Sequence, residues 1–141
     1  MADVCEEWLI CDLAAQALGA IVYGIYPTAS VQELEYQMRD GGAVLFIAED
    51  QEYVDRILPL VDELPALRRI VVIDATGLMA LSHAKLIAYE AFTAAGRDGD
   101  LGWLAGQVAG LRADEPATPR APPVIRRAPN SRTATSRATP R

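Results

Sequence analysis

The chain is short of the residues that most often carry chemistry. Its 141 residues include one histidine, His83, and two cysteines, Cys5 and Cys11. A six-residue separation puts the two cysteines on different faces of a helix, so they cannot pair locally. No Cys-x-x-Cys or neighbouring Cys/His set offers a zinc site. Two free thiols in a reducing compartment are expected. No apolar run approaches the ~18–20 residues that span a bilayer. The opening Met-Ala-Asp-Val-Cys-Glu-Glu is acidic, where a signal peptide would be basic. These absences point to the cytoplasm. Gly-x-Gly-x-x-Gly does not occur, which removes the dinucleotide-binding fingerprint.

What is present is a core-forming composition with an uneven charge. Hydrophobic residues make up 51% of the chain, enough for one globular domain. The net charge of −6 hides a split. Residues 1–111 hold six Lys/Arg against seventeen Asp/Glu, a net of −11, whereas residues 112–141 hold seven Arg against two acids, a net of +5. Two differently behaving segments are expected: a partial domain over 1–115 and a tail over 116–141.

The hydrophobic pattern predicts alternating helices and strands. Asp3 to Leu18 reads as a helix with acids in its first turns and almost no polar face, the pattern of a buried helix. Gly19 is a natural stop. Ala20 to Ile25 is a β-branched run and reads as a strand. Ser30-Val-Gln-Glu33 is a capping box that should start a helix ended by Asp40-Gly41-Gly42. Ala43–Ala48 reads as a strand. Glu49-Asp50 then opens a helix that should kink or restart at Pro59. Arg69–Asp74 is a third strand, Lys85–Ala95 and Leu101–Ala109 are short helices, and Gly96–Gly99 is a turn. Continuous apolar strands linked by helices imply a parallel sheet buried on both faces. The fold class is therefore α/β: a partial open parallel sheet in the order helix-strand-helix-strand-helix-strand. The last 26 residues hold six Pro, six Arg, five Ala and four Thr without periodicity, and are expected to be disordered.

The isolated motifs are weak. Gly19 and Gly24 have Gly-x4-Gly spacing, but Ile25-Tyr26 follows where a P-loop needs Lys-Ser/Thr. His83 has no partnering acid in local reach, and a loop position is favoured over a catalytic one. Asp74 ends a strand but lacks a second carboxylate nearby, so a loop-capping role is favoured. The arginine tail could contact phosphate backbones, yet it has no aromatic residue for base stacking and no amphipathic pattern for a lipid surface.

An ordered series of segments carries more. Glu7-Trp-Leu-Ile10, Asp12-Leu-Ala-Ala-Gln-Ala-Leu-Gly-Ala20 and Gly24-Ile-Tyr-Pro-Thr28 are followed by Phe46-Ile-Ala-Glu-Asp-Gln51 and Leu67-Arg-Arg-Ile-Val-Val-Ile-Asp74. Together, over about residues 3–118, they resemble the N-terminal region of long-chain fatty-acid–CoA ligases of the AMP-forming adenylate superfamily. The resemblance implies a reaction in which a fatty carboxylate attacks the α-phosphate of ATP, and the thiol of coenzyme A then displaces AMP from the acyl-adenylate. It implies fatty acid, ATP, magnesium and coenzyme A as ligands, a lysine from a small C-terminal domain, and membrane association in full-length members.

In the family, a Thr-Ser-Gly-Thr-Thr-Gly loop followed by Pro-Lys-Gly lies a few residues beyond a segment like Asp114-Glu-Pro-Ala-Thr118. Small residues there let backbone N–H groups approach the triphosphate. Pro119-Arg-Ala-Pro-Pro123 stands here instead. The upstream strand of the family is reduced to Ala2-Asp-Val4. No catalytic, cofactor-binding or metal residue of the family maps onto the chain, so none is assigned, and a fragment inactive by itself is expected. The tail has the composition of a GC-rich gene read out of frame, which suggests a frameshift near codons 118–119. The alternative is a non-catalytic α/β interaction module whose basic tail contacts nucleic acid, although nucleic acid is not the favoured partner. A separately encoded C-terminal part that complements the fragment is a third possibility.

Overall fold

The computed structural model describes residues 1–3, 5–78, 83–112 and 114. The expected disorder of 116–141 lies outside the described residues.

A three-stranded parallel sheet organises the chain. Its order is β1 (Leu45–Ala48), β2 (Arg69–Val72), β3 (Leu86–Ala88), with Phe46 opposite Ile70 and Val71 opposite Ile87. The α/β class with an open parallel sheet is thus as the sequence implies. Strand β2 is central and has Ile70, Val71 and Val72 all fully buried, as a strand covered on both faces must. Ile70 and Val72 join the main core, and the alternation of the strand turns Val71 to the opposite face. The helix α4 (Tyr89–Ala95) packs against β2 and β3.

The main core lies under two helices. α2 (Val31–Asp40) starts at the foreseen capping box: the Ser30 hydroxyl accepts from the Glu33 N–H at 3.2 Å, and the Glu33 carboxylate accepts from the Ser30 N–H at 2.8 Å. It buries Leu34 and Met38, one turn apart. α3 (Gln51–Ile57) buries Tyr53, Val54 and Ile57. Pro59 then sits in the first turn of a 3-10 helix (Leu58–Glu63), the restart that its missing N–H dictates. Fully burying a side chain such as Leu34 or Ile57 contributes roughly 1.5–3 kcal/mol.

Three expectations change. Ala20–Ile25 forms no strand. Its β-branched residues suit an extended chain, but no neighbouring backbone among the described residues supplies a ladder. Ile25 is buried against the core, and the Tyr23 hydroxyl donates to the Gln37 carbonyl at 3.1 Å. Lys85–Ala95 is not one helix. Its start is β3, because the free edge of β2 lies alongside: the Ile70 N–H donates to the Lys85 carbonyl at 2.8 Å. Finally, α1 (Glu6–Ala17) is a helix as read, but it buries none of its residues. It lies beside α5 (Leu101–Gly110), which is equally uncovered.

Ala2 and Asp3 form no strand and Val4 lies outside the described residues, but Met1 pairs with β1. The Met1 amine donates to the Ile47 carbonyl at 2.8 Å, and the Glu49 N–H donates to the Met1 carbonyl at 3.0 Å. That pattern is a parallel pairing along the outer edge of β1, and it draws the Met1 side chain into the core.

Candidate functional site

In open α/β sheets, ligands collect beyond the carboxyl ends of the strands. Here that edge carries Glu49, Asp50, Gln51, Asp74, Thr76 and Gly77. The sheet register continues one step past the strands: the Ile73 N–H donates to the Ala48 carbonyl at 2.9 Å, and the Asp74 N–H to the Glu49 carbonyl at 2.6 Å. Glu49 and Asp74 therefore stand on adjacent chains. Gln51 reaches the next loop, since a Cβ added at Gly77 would fall 2.4 Å from the Gln51 Oε1.

Each carboxylate on this edge is occupied by a local donor. Glu49 accepts from the Asp3 N–H at 2.6 Å. Asp50 is the N-cap of α3 and accepts from the Glu52 N–H at 2.9 Å, as its place before the helix suggests. Asp74 accepts from the Thr76 hydroxyl and from the Thr76 N–H at 2.9 Å, and these two bonds hold its carboxyl below the usual range. This is the loop-capping role that the sequence favours. An edge lined by three anionic groups suits cations over a triphosphate. Yet no group of three His, Cys, Asp or Glu residues among the described residues could hold a metal ion.

The other singled-out residues lie elsewhere. His83 is exposed at the amino end of β3, the opposite edge of the parallel sheet, where its Nδ1 accepts from the Lys85 N–H at 3.2 Å. Gly19 closes α1 in the left-handed region at φ 74°, and its N–H donates to the Gln16 carbonyl at 2.9 Å, so that donor is not free for a phosphate. Cys5 precedes α1 and Cys11 lies within it; both thiols are free, and burial is the main cause that pushes the Cys11 thiol up. The fold does not bring these residues together.

Arg56 is a positioning residue that the sequence reading passed over. Its guanidinium lies 5.6 Å from the Tyr53 ring centroid, pairs with Glu52 one turn earlier, and donates to the Pro27 carbonyl at 2.6 Å. It fastens the Gly-Ile-Tyr-Pro-Thr segment to α3. The Glu52–Arg56 spacing of four was the available signal.

No helix among the described residues is long and apolar enough to cross a membrane. No solved structure matches the chain. Curated relatives do. The long-chain-fatty-acid–CoA ligase FadD15 of Mycobacterium bovis is 33% identical over 112 residues, which is 79% of this chain and 17% of the relative. FadD15 of Mycobacterium tuberculosis is 32% identical over the same shares. The ligase ACSBG2 of Xenopus laevis is 34% identical over 65 residues, 46% of this chain and 9% of that protein. The chain therefore spans about one sixth of the length of the FadD15 relatives. Residues 1–123 match the AMP-binding enzyme family, and the chain belongs to that family.

Proposed function

We propose that this chain is part of an ATP-dependent long-chain fatty-acid–CoA ligase and does not catalyse that reaction by itself. In the full reaction a fatty carboxylate oxygen attacks the α-phosphorus of ATP and pyrophosphate leaves. The thiol sulfur of coenzyme A then attacks the acyl carbon, and AMP leaves with the carboxylate oxygen. The observation that carries the reading is the match to the FadD15 ligases over 79% of this chain and only 17% of theirs.

Inactivity follows from the chemistry of triphosphate binding. The enzyme must surround three phosphates with main-chain N–H groups, and glycine is the residue that lets a backbone approach so closely. After Gly110 the sequence has no glycine at all. Pro119-Arg-Ala-Pro-Pro123, which follows Thr118, contains three prolines, none with an N–H to give. The strand-end carboxylates, already engaged, add repulsion in place of donors. No residue here is given a catalytic, cofactor-binding or metal role. ATP, magnesium and coenzyme A belong to the rest of such a ligase. Residues 1–115 then form a partial domain and 116–141 a basic tail.

The test is pyrophosphate exchange into ATP by the purified 141-residue chain with a long-chain fatty acid and magnesium. No fatty-acid-dependent exchange is expected. A rate above that of a heat-treated control would refute the reading.

A further inference from the structure

We propose that the arginine- and proline-rich tail, residues 116–141, docks within the same chain on the exposed face of α1 and α5. The chemistry of that face names the kind of segment it takes. α1 carries Glu6, Glu7 and Asp12 and no Lys or Arg, and α5 carries no charge at all. None of the three carboxylates enters an ion pair among the described residues. Neither helix has a buried residue, and each presents a tryptophan: Trp8 is 41% exposed and Trp103 57%. Asp12 follows Trp8 by four positions, so the carboxylate and the indole lie one turn apart on one side of α1. Such a pair suits a guanidinium, which stacks on the ring and pairs with the carboxylate. Aromatic surface flanked by acids also suits proline-rich sequence, whose restricted backbone leaves little entropy to lose on docking.

The chain holds a segment of that chemistry in the right place. Residues 116–141 contain six Arg, six Pro and no acid, and Pro119-Arg-Ala-Pro122 has Pro-x-x-Pro spacing. Residues 1–111, at a net of −11, attract them. Leu111, which leads towards the tail, meets the end of α1: its Cδ2 lies 3.1 Å from where a Cβ at Gly19 would be. From the ends of their helices, Trp8 and Trp103 lie about 14 and 11 Å back along the axes. Arg120 is nine residues beyond Leu111, a length of chain that spans up to ~30 Å, so both rings are within reach. Tethering holds the tail at a roughly millimolar effective concentration. Val124 and Ile125 are its only large aliphatic residues, so it covers the face in part and leaves apolar surface for contacts between copies. This contact does not depend on the ligase reading.

The test uses the full chain, dilute enough to be monomeric by sedimentation velocity, and acrylamide quenching of its two tryptophans. The variant Arg120→Glu, Arg126→Glu, Arg127→Glu should uncover them, with quenching up about two-fold and emission shifted to the red. Raising salt from ~0.01 to ~1 M, which shortens the Debye length from about 30 to about 3 Å, should bring the parent to the variant's value. Asp12→Arg should act like the tail variant, and the two sets of changes combined should restore protection. Far-UV circular dichroism should be the same for all four chains. Equal quenching of parent and tail variant at low salt overturns the proposal. So does protection that salt does not reduce, the mark of a purely apolar cover, or protection lost on further dilution, the mark of a contact between copies. A combined variant as open as the tail variant also overturns it.

Discussion

Ser30 and Met1 are the residues where single atoms matter most. Ser30 is half of a reciprocal cap, and Ser30→Ala should lower stability by about 1 kcal/mol, read as a fall in the urea midpoint at neutral pH. The Ser30 N–H first, and its hydroxyl second, hold the Glu33 carboxyl below its usual range. A folded-state value below the unfolded one means a contribution that is present above the ordinary glutamate value and is lost as pH falls through the folded one. Ser30→Ala keeps the N–H and removes only the hydroxyl's share, so its gap to wild type should narrow modestly below pH ~4; a gap that widens on acidification would contradict the hydroxyl's hold on Glu33. The Met1 amine works in the other direction. Burial lowers it to about 6, with the nearby Glu49 opposing. The unfolded chain then binds the extra proton between pH 6 and 8, so stability should rise with pH across that window, by about 3 kcal/mol at most. A urea midpoint that is flat from pH 5.5 to 8.5 would rule this out.

Elements differ sharply in how firmly they are held. Every residue in the core other than Met1 lies between Ile25 and Val72, so α2, β1, α3 and β2 form the stable unit. α1, α4 and α5 bury no residue of their own. Native-state hydrogen exchange should find the slowest amides in β1 and β2, with α1, α4 and α5 opening at much lower cost. Equal protection across all five helices would refute this division. Leu34→Ala should cost about 2–5 kcal/mol, whereas Leu13→Ala should stay within about 0.5 kcal/mol. The same contrast marks what could be read from the sequence. The capping box, the Pro59 restart and the central strand were legible because the cause is local or because the apolar run is long enough to require burial on both sides. The strand at 20–25 and the helix beginning at Lys85 failed for one reason. A ladder needs a neighbour, and the sequence does not say which edge will be free. At the strand ends, the capping roles of Asp50 and Asp74 were readable from the residues just after them. The hold of Arg56 on the Pro27 carbonyl, 29 positions away, was not.

At the scale of the whole molecule the balance of apolar surface governs behaviour. Among the described residues, sixteen hydrophobic residues are buried and fifteen large ones are exposed. A self-sufficient domain tolerates scattered exposed leucines, but not a pair of neighbouring helices without a covered face. The outer edge of β3 has no strand partner among the described residues and adds a template for association. Purified chain should therefore associate heterogeneously as its concentration rises, bind a dye that reports apolar surface, and melt over a broad, concentration-dependent range. Sedimentation velocity with thermal melts at several concentrations measures this. Leu13→Asp with Trp103→Asp should reduce the association without lowering the urea midpoint, because the cause is surface and not core. A monomer that melts sharply at the same temperature at every concentration would show that the chain closes its own apolar surface, and the case for an uncovered part of a larger enzyme would fall with it.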